Sequence, residues 1–200
     1  MWNLFLENFV LIFVAVDPIS SLPIFAVFTQ GLNQKDLRTL CLRSGLTAFM
    51  ILLVFWLLGS QILELMGINI SSFRIVGGIF LMVISYQMVF EKRQEKRQET
   101  AEKALDDEAL LSLATFPLAI PLMAGPGAIT IVMLLSEKSG ESIGSHLVGF
   151  SPIFVVILLA VLSLWASGRI AEKLPTSVLG VLQRTLGLLL GALAIEFVIQ

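Results

Sequence analysis

The sequence predicts an all-α membrane protein. It has six transmembrane helices arranged as two inverted-topology three-helix repeats, with helices 1 and 4 broken near the bilayer midplane. Three observations carry this prediction: where the few charges fall, a set of short motifs that recurs at one offset, and two proline-centred interruptions. Of the 200 residues, 56% are hydrophobic and 14% charged, whereas soluble domains carry about 25% charge. The net charge of −2 gives no basic footprint for nucleic acid. A single cysteine, Cys41, excludes a disulfide framework, and a single histidine, His146, excludes a multi-histidine metal site.

Charge-poor runs mark the spans. A helix needs about 20 mostly apolar residues to cross the hydrocarbon core. Residues 4–34 carry only Glu7 and Asp17, 65–90 only Arg74, and 174–200 only Arg184 and Glu196; 44–63, 109–136 and 147–168 carry no charge. The predicted spans are 4–29, 41–60, 70–90, 110–136, 147–167 and 178–199. Long non-alternating runs favour helices, and an open sheet edge is forbidden in lipid. The first span lacks a basic leader and carries Glu7, so it is expected to be retained and not cleaved as a signal peptide.

The tract Glu91 to Glu108 holds 12 of the 28 charges and begins with the tandem repeat E-K-R-Q-E-K-R-Q-E. It reads as a solvated helical extension or a tether. Ten basic residues (Lys35, Arg38, Arg43, Lys92, Arg93, Lys96, Arg97, Lys103, Arg169, Lys173) fall on one side, against Lys138 and Arg74 on the other. The positive-inside rule then places the tract in the cytoplasm and both termini in the periplasm.

The two halves share motifs. Trp56 and Gly59 recur as Trp165 and Gly168, Arg74 and Gly77 as Arg184 and Gly187, and Pro18 as Pro126, at offsets of 108 to 110 residues. One integral domain, 1–200, therefore divides into repeat 1 (1–90), the linker (91–108) and repeat 2 (109–200). Three helices per half force the second half to insert upside down, an architecture of many secondary transporters.

The chemistry is expected at the interruptions. In D-P-I-S-S-L-P-I-F, Asp17 to Phe25, Pro18 breaks the helix and Asp17 is placed to cap a second half-helix, accepting from the amides of Ser20 or Ser21. Pro23 adds a second break. In Pro117 to Thr130 the core is Gly125-Pro126-Gly127, glycines that allow positive φ and close approach of a ligand. The amides of Gly127, Ala128 and Ile129 are free to meet an anion. Irregular backbone at this depth is tolerated where it lines a cavity. Asp17 is the one acidic residue near a span centre, where ionisation costs roughly 2.5–3.5 kcal/mol on an insertion scale. Its candidate roles are helix cap, ligand of a coupling Na⁺ or H⁺, and counter-charge to a substrate ammonium. Arg74 and Arg184 read as snorkelling residues, or as a pair of gates or bonds to freed carbonyls. Gly187 and Gly191 form a close-packing face, within one protomer or between protomers of a homo-oligomer.

With these motifs in hand, the sequence resembles the MarC family of bacterial inner-membrane proteins, which includes SnatA-type neutral amino-acid transporters. The resemblance covers nearly the whole chain and rests on the Asp17–Phe25 motif, A-G-P-G-A-I-T in span four and the charged linker. It implies a multi-pass inner-membrane protein and, for some members, transport of small neutral amino acids such as glycine or alanine. The candidate solute-contacting residues it implies are Asp17, Pro18, Ser20, Ser21, Gly125, Pro126, Gly127 and Thr130, to which the free amides add Ala128 and Ile129. In the family pattern Asn often stands in place of Asp17 and Gly in place of Ser20. The leading expectation is a secondary transporter of small neutral amino acids or similar solutes; the alternative is a channel or a non-transporting scaffold. An enzyme is not expected: an aspartyl protease needs a second buried carboxylate, and a thiol carrier a second cysteine.

Overall fold

A computed structural model describes residues 2–90, 92–105, 110–139, 142–170 and 176–199. Of the charges counted above, Glu91, Asp106, Asp107, Glu108, Glu141, Glu172 and Lys173 lie outside these residues. The described residues form helices joined by turns: α1 (Trp2–Val16), α2 (Leu22–Thr29), α3 (Gln34–Leu65), α4 (Ile70–Val89), α5 (Lys92–Leu105), α6 (Leu110–Leu113), an irregular coil Ala114–Met123, α7 (Pro126–Lys138), α8 (Ile143–Ile170) and α9 (Thr176–Ile199). Helices α3, α4, α8 and α9 are long and apolar enough to cross a membrane. The coil and α7 make a fifth crossing if taken together, bent by 59°. The first apolar stretch is cut into α1 and α2, of 15 and 8 residues, each shorter than the about 20 that a crossing needs.

The turns follow from their residues. Asn33 caps α3 by accepting from the Asp36 amide at 2.9 Å, and Asn69 caps α4 by accepting from the Ser71 amide at 2.9 Å. Gly67 takes φ +67° between α3 and α4, a conformation that disfavours a side chain. Large apolar side chains such as Leu46, Leu57, Ile79, Phe80, Leu158 and Leu188 remain exposed on the long helices. An apolar belt of this extent is covered by lipid.

Helices α4 and α9 pack closely on each other. Gly78 faces Ala194 and Val198, whereas Gly187 faces Met88 and Gly191 faces Ser85, so α4 and α9 run antiparallel. Ser85 Oγ donates to the Gly187 carbonyl at 2.7 Å. The Gly187–Gly191 face is therefore used within the protomer. Helices α3 and α8 also run antiparallel, with Gly45 against Val161 and Trp56 against Gly149. Buried Trp56 stacks edge-on with His146 and Phe150 at 6.1 and 5.9 Å, while its counterpart Trp165 is exposed. A Cβ at Gly78 would lie 2.7 Å from the Ala194 carbonyl oxygen. Gly78→Ala is therefore expected to push α4 off α9 and cost about 1–3 kcal/mol, read as a lower unfolding midpoint in detergent.

Candidate functional site

The first break is built around Asp17. Its backbone sits at φ +54°, and its amide still donates to Phe13 O at 2.8 Å, so the residue ends α1 in a left-handed turn. Asp is among the few residues besides Gly that visit this region routinely. Asp17 Oδ1 accepts from the Ser20 amide at 3.3 Å, as expected. The cap position of α2 is taken by Ser21, however, not by Asp17. The reason is that residues 18–21 form a turn of their own before the helix starts, and Asp17 caps that turn. Pro23 falls in the first turn of α2, where its missing N–H costs nothing, so it starts the helix and does not break it. Asp17, Pro18, Ser20 and Ser21 are all buried.

The second break is wider than the glycine motif. Phe116 and Ile120 are extended (φ −127° and −121°), each preceding a cis proline, and the coil ends at Ala124. Gly125 then stands before α7 at φ −77°, so neither Gly125 nor Gly127 uses positive φ. Close packing is what both positions require. A Cβ on Gly125 would lie 2.5 Å from Pro121 O, and one on Gly127 would meet the Ile84 side chain.

Pro126 has no N–H, and the Ile129 amide donates to Gly125 O at 3.0 Å. Only the Gly127 and Ala128 amides are thus left without an intrahelical acceptor, and Ile129 leaves the expected anion-binding set. No side chain caps α7. Thr130 is buried with its methyl toward Gly77 of α4.

The linker, expected to be solvated, contributes two side chains that tie off both breaks. Arg93 Nη2 donates to Ala15 O at 2.6 Å, and its Nη1 lies 3.1 Å from Met88 Sδ. Arg97 Nη1 donates to Ser21 Oγ at 2.6 Å; its Nη2 reaches Val16 O and Leu122 O, each at 3.4 Å. Ser21 Oγ in turn donates to Asp17 O at 2.8 Å. Arg97 therefore touches the carbonyls freed at both interruptions. The period-four repeat explains the geometry. At 3.6 residues per turn, Arg93 and Arg97 share one stripe of α5, and Glu95 and Glu99, which are exposed, lie on the opposite one. Burial of the guanidinium ends pulls Arg93 below its ordinary range, opposed by Asp17. It pulls Arg97 down to about 9, with the Arg93 charge acting in the same direction and Asp17 against it.

Asp17, Ser20, Arg93, Arg97 and Gln183 enclose a void too tight for water. Asp17 Oδ2 and Gln183 Oε1 are buried there without a hydrogen-bond donor. Gln183 of α9 was invisible to pattern reading, since it is one polar residue in an apolar helix. A separate cavity of about 310 Å³ lies among α4, α5 and the second break. Its walls include Ile84, Gln87, Arg93, Arg97, Gly127 and Ala128, with Gly125 and Pro126 at the same edge. Asp17, Pro18, Ser20, Ser21, Ile129 and Thr130 do not line it. Arg74 instead pairs with Glu137 at 2.7 Å, joining α4 to α7, and Arg184 is exposed on α9. Among the described residues no group of His, Cys, Asp and Glu could hold a metal ion.

The model of the MarC family integral membrane proteins matches residues 2–200. A UPF0056 membrane protein of Archaeoglobus fulgidus is 33% identical over 98% of this chain and 91% of its own length. The UPF0056 membrane protein YhcE of Escherichia coli is 36% identical, covering 98% of this chain and 90% of its own length. YvbG of Bacillus subtilis, also a UPF0056 membrane protein, is 30% identical over 99% and 93%. No solved structure matches. A match over the whole length, an all-helical architecture and an apolar belt lead to one identification: the chain belongs to the MarC family of integral membrane proteins.

Proposed function

We propose that the protein is a secondary transporter of small neutral amino acids or similar small solutes, and that the solute occupies the cavity beside the second break. The observation that carries this reading is the cavity itself. Its 310 Å³ volume falls at the small end of ligand sites, and the two open amides of α7 stand at its wall as hydrogen-bond donors. The antiparallel packing of α3 on α8 and of α4 on α9 supports two inverted halves, the arrangement that lets one fold open to either side. By the positive-inside rule α5 closes the cavity from the cytoplasm, in a bacterial inner membrane with both termini periplasmic. Asp17 faces two guanidinium groups, which disfavour Na⁺ there; of the two coupling ions we favour H⁺.

Proteoliposomes test this. Labelled alanine or glycine should accumulate under an imposed H⁺ gradient, and unlabelled alanine inside should accelerate its entry. Flux without such counterflow would indicate a channel. No flux of any small neutral amino acid under H⁺ or Na⁺ gradients would remove the transport reading.

A further inference from the structure

We propose that the cavity is a carboxylate site and that Arg97, from the linker, is the residue that makes it selective for that group. This deepens the transport reading by naming what the site recognises on its solute. The argument is one of charge. Arg93 and Arg97 both line the cavity and also the adjoining void, where Asp17 is the one acidic side chain. Two partly buried guanidinium groups against one buried carboxylate leave one positive charge over. Lys96, which is exposed, lines the same cavity, whose described walls carry no acidic residue. A charge partly withdrawn from water gains from a partner of opposite sign that completes it.

The remaining polar features have the same sign. The Gly127 and Ala128 amides and the positive end of α7 favour a negative charge over a positive one. Arg97 holds Leu122 O and Val16 O only at 3.4 Å. A carboxylate in the cavity offers it a shorter, charge-assisted and bidentate partner. Exchange of the weak Leu122 bond for the solute would loosen the tie between the two breaks, so the residue that recognises the solute also holds the path closed. A solute ammonium finds no carboxylate in the cavity wall, since Asp17 faces the arginines.

Equilibrium binding of labelled propionate to the purified, full-length protein in detergent tests the proposal without relying on flux. Propionate should bind saturably. Unlabelled propionate and alanine should displace it; propionamide, the neutral isostere, and chloride at equal concentration should not. Arg97→Gln should weaken binding at least about tenfold, the loss of one hydrogen bond to a charged group, while Arg97→Lys, which keeps the charge, should stay within a few-fold. Displacement by propionamide as effective as by propionate overturns the proposal, and this arm needs no variant to fold. Equal displacement by chloride overturns the carboxylate selectivity. Unchanged binding in a folded Arg97→Gln protein removes Arg97 from the site. Carboxylate-selective binding with no flux would leave this site standing and remove the transporter reading alone.

Discussion

Asp17→Asn is expected to destabilise the protein by about 1–3 kcal/mol, and Arg93→Gln added to it is expected to recover at least half of that loss. Asp17 is 1% exposed and shares a void with the partly buried Arg93 and Arg97, neither of which comes within ion-pair distance of its carboxylate. Unit charges more than about 4 Å apart interact by less than about 4 kcal/mol at an effective dielectric near 20, and the partial exposure of both arginines screens this further. Removing an arginine together with the aspartate takes away the charge as well as its partner, and neighbours in one network do not add. Asn keeps the other two features of the position. It tolerates the left-handed backbone at φ +54°, and its side-chain oxygen can still accept from the Ser20 amide. Asp17→Ala keeps neither, so it should fall by roughly a further 1–2 kcal/mol, and Arg93→Gln should not restore that part. Unfolding midpoints followed by tryptophan fluorescence in one detergent give the comparison. If Asp17→Asn melts with the wild type, Asp17 acts as a turn cap and the charge is immaterial. If Arg93→Gln rescues Asp17→Ala completely, the backbone conformation carries no cost.

The long crossings were legible because lipid imposes a rule on sequence: charge must leave the hydrocarbon, so the charge-free runs 44–63 and 147–168 fall inside α3 and α8. The two breaks were legible for a related reason, since Pro18 and Pro126 remove donors that lipid cannot replace. What the pattern concealed is tertiary. The linker repeat looks like a solvated helix because most of its residues are solvated; only the stripe of Arg93 and Arg97 turns inward, and that depends on two carbonyls and a hydroxyl 76 to 81 residues earlier in the chain. Gln183 was missed for the same reason. Asp17 was found, but the residues that share its void, Arg93, Arg97 and Gln183, come from α5 and α9 and were not. The second break was read as Pro117 to Thr130 with the glycines at its core, whereas the extended residues Phe116 and Ile120 place its irregular backbone upstream of them.

Gly125→Ala should be the most damaging single methyl in the protein, whereas Gly127→Ala, two residues on, should be tolerated by the fold. The contrast follows from what each new Cβ would meet. At Gly125 it lies 2.5 Å from the Pro121 carbonyl oxygen, a backbone atom in the coil that ends at Ala124. Neither side can yield without moving the cavity wall, since Pro121, Leu122, Gly125 and Pro126 all belong to it. Overpacking at ordinary core positions costs about 1–3 kcal/mol; against rigid backbone the upper end or more is expected, seen as loss of monodisperse protein at growth temperature. At Gly127 the neighbour is Cδ1 of Ile84, the far end of a flexible side chain. Rotation of Ile84 relieves the contact for about 1 kcal/mol, roughly the cost of an off-rotamer torsion. Ile84 also lines the cavity, so the space it gives up at Gly127 is taken from the solute. Gly127→Ala should therefore fold, retain glycine flux and lose alanine flux by about tenfold, the size of discrimination that one methylene provides in a closely fitting pocket. A Gly125→Ala protein as stable as the wild type would mean that the coil from Pro121 to Gly125 opens freely. The second break would then be a hinge, not the fixed wall of the site.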